Sequence, residues 1–185
     1  KVRRSSDLGV TWHEVGSINA DGWPFVVSNG SSVFASKYAL QRSDDNGITW
    51  EVVPGVGSSN MVMMAAEGQL VFATLSMTAL YRSTNNGNIW SSSNNFAHRV
   101  NSVAVNSNTV YCATSGGGVY VSTDQGGQWS QTSIPEDTVY SVVSNSNYII
   151  AGTSSGVYIS LNQGNSWQQV NNGLPNTAVK QVFVH

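Results

Sequence analysis

The residues of this sequence best suited to chemistry are carboxylates and amides that recur in one short pattern. The pattern reads Ser-x-Asp/Asn-x-Gly-x-x-Trp and occurs five times, with its acidic or amide position at Asp7, Asp45, Asn85, Asp124 and Asn162. Carboxylates in such positions could bind a divalent cation or transfer protons. A catalytic group is rarely copied into every repeat, however, and Asn alternates freely with Asp here. We therefore predict a structural role, in which the side chain accepts hydrogen bonds from backbone N–H groups of a tight turn.

The glycine and tryptophan of each copy fit the same interpretation. Glycine supplies the positive φ that a tight turn requires, and an indole at a fixed repeat position is typical of a core residue. A carbohydrate-stacking ladder is the alternative for the tryptophans, but their identical repeat position favours packing. The predicted structural residues beside the Asp or Asn are Gly9, Trp12, Gly47, Trp50, Gly87, Trp90, Gly126, Trp129, Gly164 and Trp167.

The spacing of the pattern predicts the fold. Its first serines lie 38, 40, 39 and 38 residues apart, and each interval contains two further strand-like segments in a fixed order before the turn. We name the strands of one unit A, B, C and D, with the turn between C and D. Strand A is predicted at 25–27, 61–64, 103–105, 139–143 and 179–184, and strand B at 32–36, 70–74, 110–114 and 149–153. Four short antiparallel strands per unit of about 39 residues, without helical periodicity, predict an all-β protein built from β-propeller blades.

The repeated turn resembles the BNR or Asp-box repeat of sialidases, xyloglucanases, sortilin-type receptor domains and a photosystem II assembly factor family. The resemblance implies a β-propeller whose Asp-box turns lie at the outer edge, away from the central channel. It does not imply one activity, because unrelated functions share this turn. The assembly factors use an arginine-rich surface, which the scattered arginines of this chain do not support.

The repeat divides the chain into one propeller region. We predict a partial blade with strands C and D at 1–16, four blades at 17–54, 55–94, 95–134 and 135–172, and a partial blade with strand A at 173–185. Joining the two partial blades would leave a blade without strand B. We therefore expect a segment of a longer propeller or assembly, with a self-closed five-bladed ring as the alternative.

Ligand-binding residues are expected in the loops that enter strand A and those that join B to C, because these loops surround the mouth of a propeller channel. The loop residues differ sharply from unit to unit, as a specific binding surface requires. The candidates are Trp23, Tyr38, His98, Arg99, Glu136, Asp137 and Asn176. The alternative is that they are merely solvated loop tips.

An enzyme would need further groups. Sialidase-like chemistry implies three arginines that grip a carboxylate, a Tyr/Glu pair and another acid, but Arg42 and Arg82 share one repeat position and look structural. A glycosidase needs two facing carboxyl groups, which only Asp21 with Glu136 or Asp137 could supply. We assign no catalytic residue. The prediction is a non-catalytic binding or scaffold module, and the alternative is part of a glycoside hydrolase whose catalytic residues lie partly outside this chain.

The amino-acid composition limits the classes of partner that the protein is expected to bind. The chain has 185 residues, of which 40% are hydrophobic and 10% charged, with a net charge of −2. The hydrophobic fraction predicts a folded protein. The net charge does not indicate the basic surface that binding to nucleic acids requires. The single Cys112 and scattered histidines predict neither metal nor cofactor, and no apolar run is long enough for membrane insertion. Protein or glycan partners and an extracellular, cell-surface or periplasmic location are the expectations.

Overall fold

The computed structural model describes residues 2–16, 25–36, 39–56, 63–74, 77–175 and 177–183, and these ranges contain strands and turns but no helix. A two-stranded hairpin comes first, formed by β1 (Val2–Arg4) and β2 (His13–Gly16). Four sheets of four strands follow. The first is β3 (Phe25–Ser28), β4 (Val33–Ser36), β5 (Leu40–Ser43) and β6 (Glu51–Val52); the second is β7 (Met64–Glu67), β8 (Leu70–Thr74), β9 (Ala79–Ser83) and β10 (Ser91–Asn95). The third is β11 (Val100–Asn106), β12 (Thr109–Thr114), β13 (Val119–Ser122) and β14 (Ser130–Gln131); the fourth is β15 (Val139–Ser144), β16 (Ile149–Thr153), β17 (Gly156–Ser160) and β18 (Gln168–Gln169).

Every four-stranded sheet is an antiparallel meander in which neighbours along the chain are neighbours in the sheet. The first strands of successive sheets contact one another, β3 with β7, β7 with β11 and β11 with β15. The sheets therefore stack face to face with their first strands side by side, which is the blade arrangement of a β-propeller.

Three apolar cores lie between the successive sheets. Phe34 and Val71 contribute to the core between the first and second sheets, Phe72 and Val110 to the next, and Tyr111 to the third. Phe34, Phe72 and Val110 are wholly inaccessible to water. Adjacent residues of one second strand thus point into different cores, as the two-residue period of a strand requires.

The Asp-box turn is closed by its own side chains. In the copy after β5, Ser43 Oγ accepts a hydrogen bond from the Gly47 amide at 2.7 Å and donates one to Asp45 Oδ1 at 2.8 Å. The same carboxylate oxygen accepts the Thr49 amide at 2.8 Å. The equivalent serine and glycine are joined at 2.7 to 2.9 Å in all five copies. Asparagine can take the place of aspartate in this turn, because Asn85 Oδ1 accepts a hydrogen bond from the Ile89 amide at 2.8 Å.

Each glycine of the last three boxes faces the preceding sheet. A Cβ added to Gly87 would lie 2.6 Å from a ring carbon of Phe34, and one added to Gly126 would lie 2.7 Å from a ring carbon of Phe72. At Gly164 the nearest atom would be the Thr132 methyl group, also at 2.7 Å. Glycine is therefore needed both for its positive φ and for the absence of a side chain.

Two predicted first strands differ from the structure. The one at 61–64 is wrong in position: β7 begins at Met64 and runs to Glu67, while residues 61 and 62 lie outside the described residues. The turn at Gly68, with φ of 57°, sets the register of β7 against β8, and an apolar run alone does not fix a register. The strand at 179–184 is not formed over the described residues 179–183, where a single backbone bond, from the Val179 amide to the Thr153 carbonyl, reaches the neighbouring sheet.

We predict that Gly126→Ala destabilises the protein more than Gly55→Ala. Both glycines have a similar positive φ, 82° and 78°, so both variants incur the same backbone strain of about 1–2 kcal/mol. Only the Gly126 variant also places a methyl group against Phe72, and overpacking of this kind costs about 1–3 kcal/mol more. Urea unfolding of both variants measures the difference, and equal losses would show that the turn does not press on the preceding sheet.

A second prediction concerns acid stability. Hydrogen bonds from the Thr49 side chain and amide and from Ser43 lower the pKa of Asp45 from 3.8 to about 2. Because the folded pKa lies below the unfolded one, this contribution to stability is complete above pH 4 and is lost as the pH falls towards 2. Asp45→Asn should therefore flatten the decline of the unfolding free energy between pH 4 and 2, measured by urea titration. The reverse change, Asn85→Asp, should steepen it, and identical slopes in all three proteins would contradict the assignment.

Candidate functional site

The polar side chains of the Asp boxes make hydrogen bonds that stabilise their own turns. Besides Thr49, Asp45 Oδ1 accepts the Ile48 amide at 3.0 Å, and Oδ2 accepts the Thr49 hydroxyl at 2.6 Å. Among the residues that the structure describes, no group of three or more His, Cys, Asp or Glu side chains could hold a metal ion. Hydrogen bonds within the turns lower the pKa values of Asp7, Asp45 and Asp124, so these values reflect the geometry of the folded turns.

Arg42 and Arg82 connect neighbouring sheets. Arg42 Nη1 donates to the Asn86 carbonyl at 2.8 Å and to Asn88 Oδ1 at 2.6 Å, in the Asp box of the next sheet. Arg82 Nη1 likewise donates to the Gln125 carbonyl at 2.8 Å. Arg42 also pairs with Asp44, whose pKa it lowers. Both guanidinium groups therefore support the stacking of sheets and are turned away from the loops at the other end.

The described loops between sheets three and four form a continuous hydrogen-bonded surface. We call it the loop rim and define it as residues 98–99, 115–118, 136–137 and 154–155. The Ser115 amide donates to the Arg99 carbonyl at 2.9 Å, and the Gly118 amide donates to the Asp137 carbonyl at 2.9 Å. The loop that joins B to C in the third sheet is thus tied to two loops that enter strand A, first that of its own sheet and then that of the next.

The backbone of the loop rim is packed as well as bonded. His98 lies on bare glycine backbone, since a Cβ added to Gly116 would come 2.6 Å from its Nδ1 atom. Gln131 Nε2 donates a hydrogen bond to the Gly117 carbonyl at 2.9 Å and thereby stabilises the same loop. The glycine run at 116–118 therefore provides the space that the imidazole occupies.

The loop rim presents side chains of different chemistry. His98, Arg99 and Asp137 are exposed, whereas Glu136 is half-buried. The Glu136 carboxylate accepts the Ser154 hydroxyl at 3.0 Å and the Tyr158 hydroxyl at 3.3 Å. An imidazole, a guanidinium and two carboxylates thus lie along one edge, on a backbone that fixes their spacing.

The structure brings together four of the seven candidate ligand-binding residues. Trp23, Tyr38 and Asn176 lie outside the described residues, as does Asp21 of the considered carboxylate pair. Met77, from the corresponding loop of the second sheet, extends the edge, because its carbonyl accepts the Val100 amide at 2.7 Å and its side chain is 57% exposed. Sequence reasoning missed Ser154 and Tyr158 as partners of Glu136, since nothing in the repeat indicates which hydroxyls lie opposite a loop carboxylate.

Burial raises the pKa of the Cys112 thiol, which lies within β12 in the second core. It is a buried apolar residue. In the described ranges there is no helix that is long and apolar enough to cross a membrane.

Solved structures with the same fold include enzymes and a peptide-binding protein. An ancestral GH74 enzyme is 24% identical, with a TM-score of 0.64, over 79% of this chain and 23% of its own. The GH74 xyloglucanase from Xanthomonas campestris is 20% identical, with a TM-score of 0.57, over 76% of this chain and 28% of its own. YCF48, solved bound to D1 peptide, is 17% identical, with a TM-score of 0.67, over 90% of this chain and 60% of its own.

These similarities show the fold, and this chain spans less than a third of either GH74 enzyme. No curated protein matches the sequence. Two family descriptions do match: the BNR/Asp-box repeat at residues 41–52, and the DUF6242 beta propeller domain at residues 52–185. Since the second match covers well over half of the chain, this protein belongs to the DUF6242 beta propeller domain family.

Proposed function

We propose that this propeller chain is a non-catalytic binding module that holds a protein or glycan ligand on the loop rim. The observation that carries the proposal is the hydrogen-bonded backbone that presents His98, Arg99, Glu136 and Asp137 along one edge. These residues stand at corresponding loop positions of two successive sheets, yet they share no common chemistry. A surface that varies while its scaffold repeats is suited to specific recognition.

The order of the backbone favours binding without a large entropic cost. Amides of Ser115, Gly118 and Ser154 donate to carbonyls of the loops that enter strand A, at 2.9 to 3.2 Å. A ligand that docks on loops already fixed in this way does not have to order them. The loop rim therefore favours binding of a segment to a preformed surface.

The charges favour a polypeptide ligand over a neutral one. Arg99 can donate to carboxylates or main-chain carbonyls, and Asp137 can accept from lysine, arginine or backbone amides. The fold-level similarity to YCF48, solved with a bound peptide, is consistent with this choice. A glycan bearing carboxyl groups could use the same guanidinium and is the alternative ligand.

The chemistry of the chain also supports an exported setting. Charged residues make up only 10% of the sequence, while Ser, Asn, Thr and Gly are abundant. We infer an extracellular, cell-surface or periplasmic location from this composition. Fractionation of the source cells with an antibody against the protein tests it, and recovery in the cytosolic fraction would contradict it.

A glycoside hydrolase is the second candidate, and one contact favours it. Tyr158 donates its hydroxyl to Glu136 Oε1 at 3.3 Å, which provides a Tyr/Glu pair beside the loop rim. The arginine cluster that sialidase-like chemistry implies is not assembled around it among the described residues. Arg42 and Arg82 are bonded to Asp boxes, and Arg3 and Arg4 lie on the first hairpin. Binding is therefore the function that we favour.

The binding proposal predicts that the double variant His98→Ala/Arg99→Ala loses affinity for ligands selected from a random peptide display library and a glycan array. Hydrogen bonds from a charged group contribute about 1.5–3 kcal/mol, so the loss should be tenfold to about a hundredfold. The matched control is Thr123→Ala/Gln128→Ala, two exposed residues of the Asp box in the third four-stranded sheet, at the opposite end of the sheets. Calorimetry of each variant with the selected ligand gives the comparison.

Unchanged affinity in the loop-rim variant, or an equal loss in the control, would show that the ligand binds elsewhere. Hydrolysis separates the two candidate functions. If the protein cleaves xyloglucan or a sialoside, and Glu136→Gln or Asp137→Asn abolishes the cleavage, the enzyme replaces the binding module. If no cleavage occurs while peptide or glycan binding depends on Arg99, the binding module stands.

A further inference from the structure

The interface between the third and fourth sheets lacks the arginine that spans the first two interfaces. The residue paired in register with Phe34 is Arg42, and the residue paired with Phe72 is Arg82. At the same place in the third sheet, Tyr111 is paired with Val121. No described side chain donates to the Gln163 carbonyl, although Asn86 and Gln125 at the same box position both accept a guanidinium hydrogen bond.

The turns between first and second strands also differ at this interface. Asn29 Nδ2 donates to the Gly68 carbonyl at 2.6 Å across the first interface, and Glu67 Oε1 accepts the Ser107 amide at 3.2 Å across the second. Across the third interface, no hydrogen bond joins the described turns at 106–109 and 145–148. The two turns therefore stand apart, whereas the last Asp box is joined to the end of the third sheet by Ser133, whose hydroxyl donates to the Asn165 carbonyl at 2.7 Å.

An open cleft of about 410 Å³ occupies this gap. Its lining carries amide, hydroxyl and phenol groups, among them Asn106, Asn147, Asn165 and Tyr148, and none of its described lining residues has a charged side chain. The cleft beside the first Asp box of the four sheets is different, since Arg42, Asp44 and Glu51 line it. The cleft at the interface without the arginine is thus lined by neutral polar groups.

The lining indicates the class of ligand. Amide side chains both donate and accept hydrogen bonds, and the Gln163 carbonyl is a further acceptor, so the cleft suits a ligand that carries many hydroxyl groups. A charged ligand would lose hydration without meeting an opposite charge. Leu161, 72% exposed at the edge, offers apolar surface of the kind that the C–H face of a sugar ring covers. We propose that this cleft binds a neutral oligosaccharide.

The cleft is independent of the loop rim. In an antiparallel meander the A–B and C–D turns lie at one end of the sheet, and the B–C loop lies at the other. The cleft is built from A–B turns and an Asp box, so it is at the end opposite the loop rim. Loss of loop-rim binding and loss of cleft binding are therefore separate results.

Calorimetric titration with four neutral probes tests the proposal: cellohexaose, xylohexaose, mannohexaose and chitohexaose. At least one should give saturable binding, and Asn165→Ala should weaken it about fivefold through loss of one hydrogen bond. The matched control is Asn88→Ala, at the same position of the Asp box in the second four-stranded sheet, which should leave the affinity unchanged. Asn165 is exposed, so its variant is expected to fold normally.

The second variant introduces the arginine that the first two sheets carry at this position. Val121→Arg should place a guanidinium near the Gln163 carbonyl, as Arg82 does for Gln125, and should abolish saccharide binding without lowering the urea midpoint. The proposal is overturned if none of the four probes binds saturably up to its solubility limit. It is also overturned if Asn88→Ala weakens binding as much as Asn165→Ala, or if only arginine-containing peptides occupy the cleft.

Discussion

The structure depends on the contact between the glycine of one Asp box and the sheet before it. Gly87 lies on Phe34 and Gly126 lies on Phe72, with no space for a side chain between backbone and ring. The same turn is closed by serine and Asp or Asn, so its shape does not depend on the neighbouring sheet. A locally determined turn thus sets the distance at which two sheets can pack. The apolar cores between the sheets then fill the space that this distance defines.

Much of this arrangement follows from the sequence, because the repeat encodes it locally. Asp or Asn, glycine and tryptophan at fixed spacing predict the turn, and the intervening strand segments predict a four-stranded unit. What the sequence could not provide is the partner of each side chain across an interface. The shared repeat position of Arg42 and Arg82 predicts a structural role, but the carbonyls they bind lie more than 40 residues ahead in the chain.

The structure differs from the sequence-based prediction where a particular turn or a long-range contact, and not the repeat, sets the position of a residue. The shift of β7 to Met64–Glu67 follows from the turn at Gly68, which the apolar run at 61–64 does not reveal. The neutral cleft lies at the interface where Val121 stands in the place of Arg42 and Arg82, a difference that is visible only when the three interfaces are compared. Topology predicts His98, Arg99, Glu136 and Asp137 in loops that enter strand A, and they lie in such loops of the loop rim; their role in ligand binding stays a prediction. Its hydrogen bonds depend on loop geometry that no periodicity encodes.

The tryptophans separate what a turn determines from what packing determines. Trp12 donates its indole N–H to the Gly9 carbonyl at 3.0 Å although the side chain is 60% exposed. Trp129 makes the same bond at 3.2 Å, yet its ring packs edge-on against Phe96 of the preceding sheet. The hydrogen bond is therefore formed by the turn alone, whereas burial of the indole requires a neighbouring sheet. The repeated residues complete the turn without that neighbouring sheet. Other residues at the two ends of the sheets are therefore free to vary, and the loop rim and the neutral cleft lie at these ends.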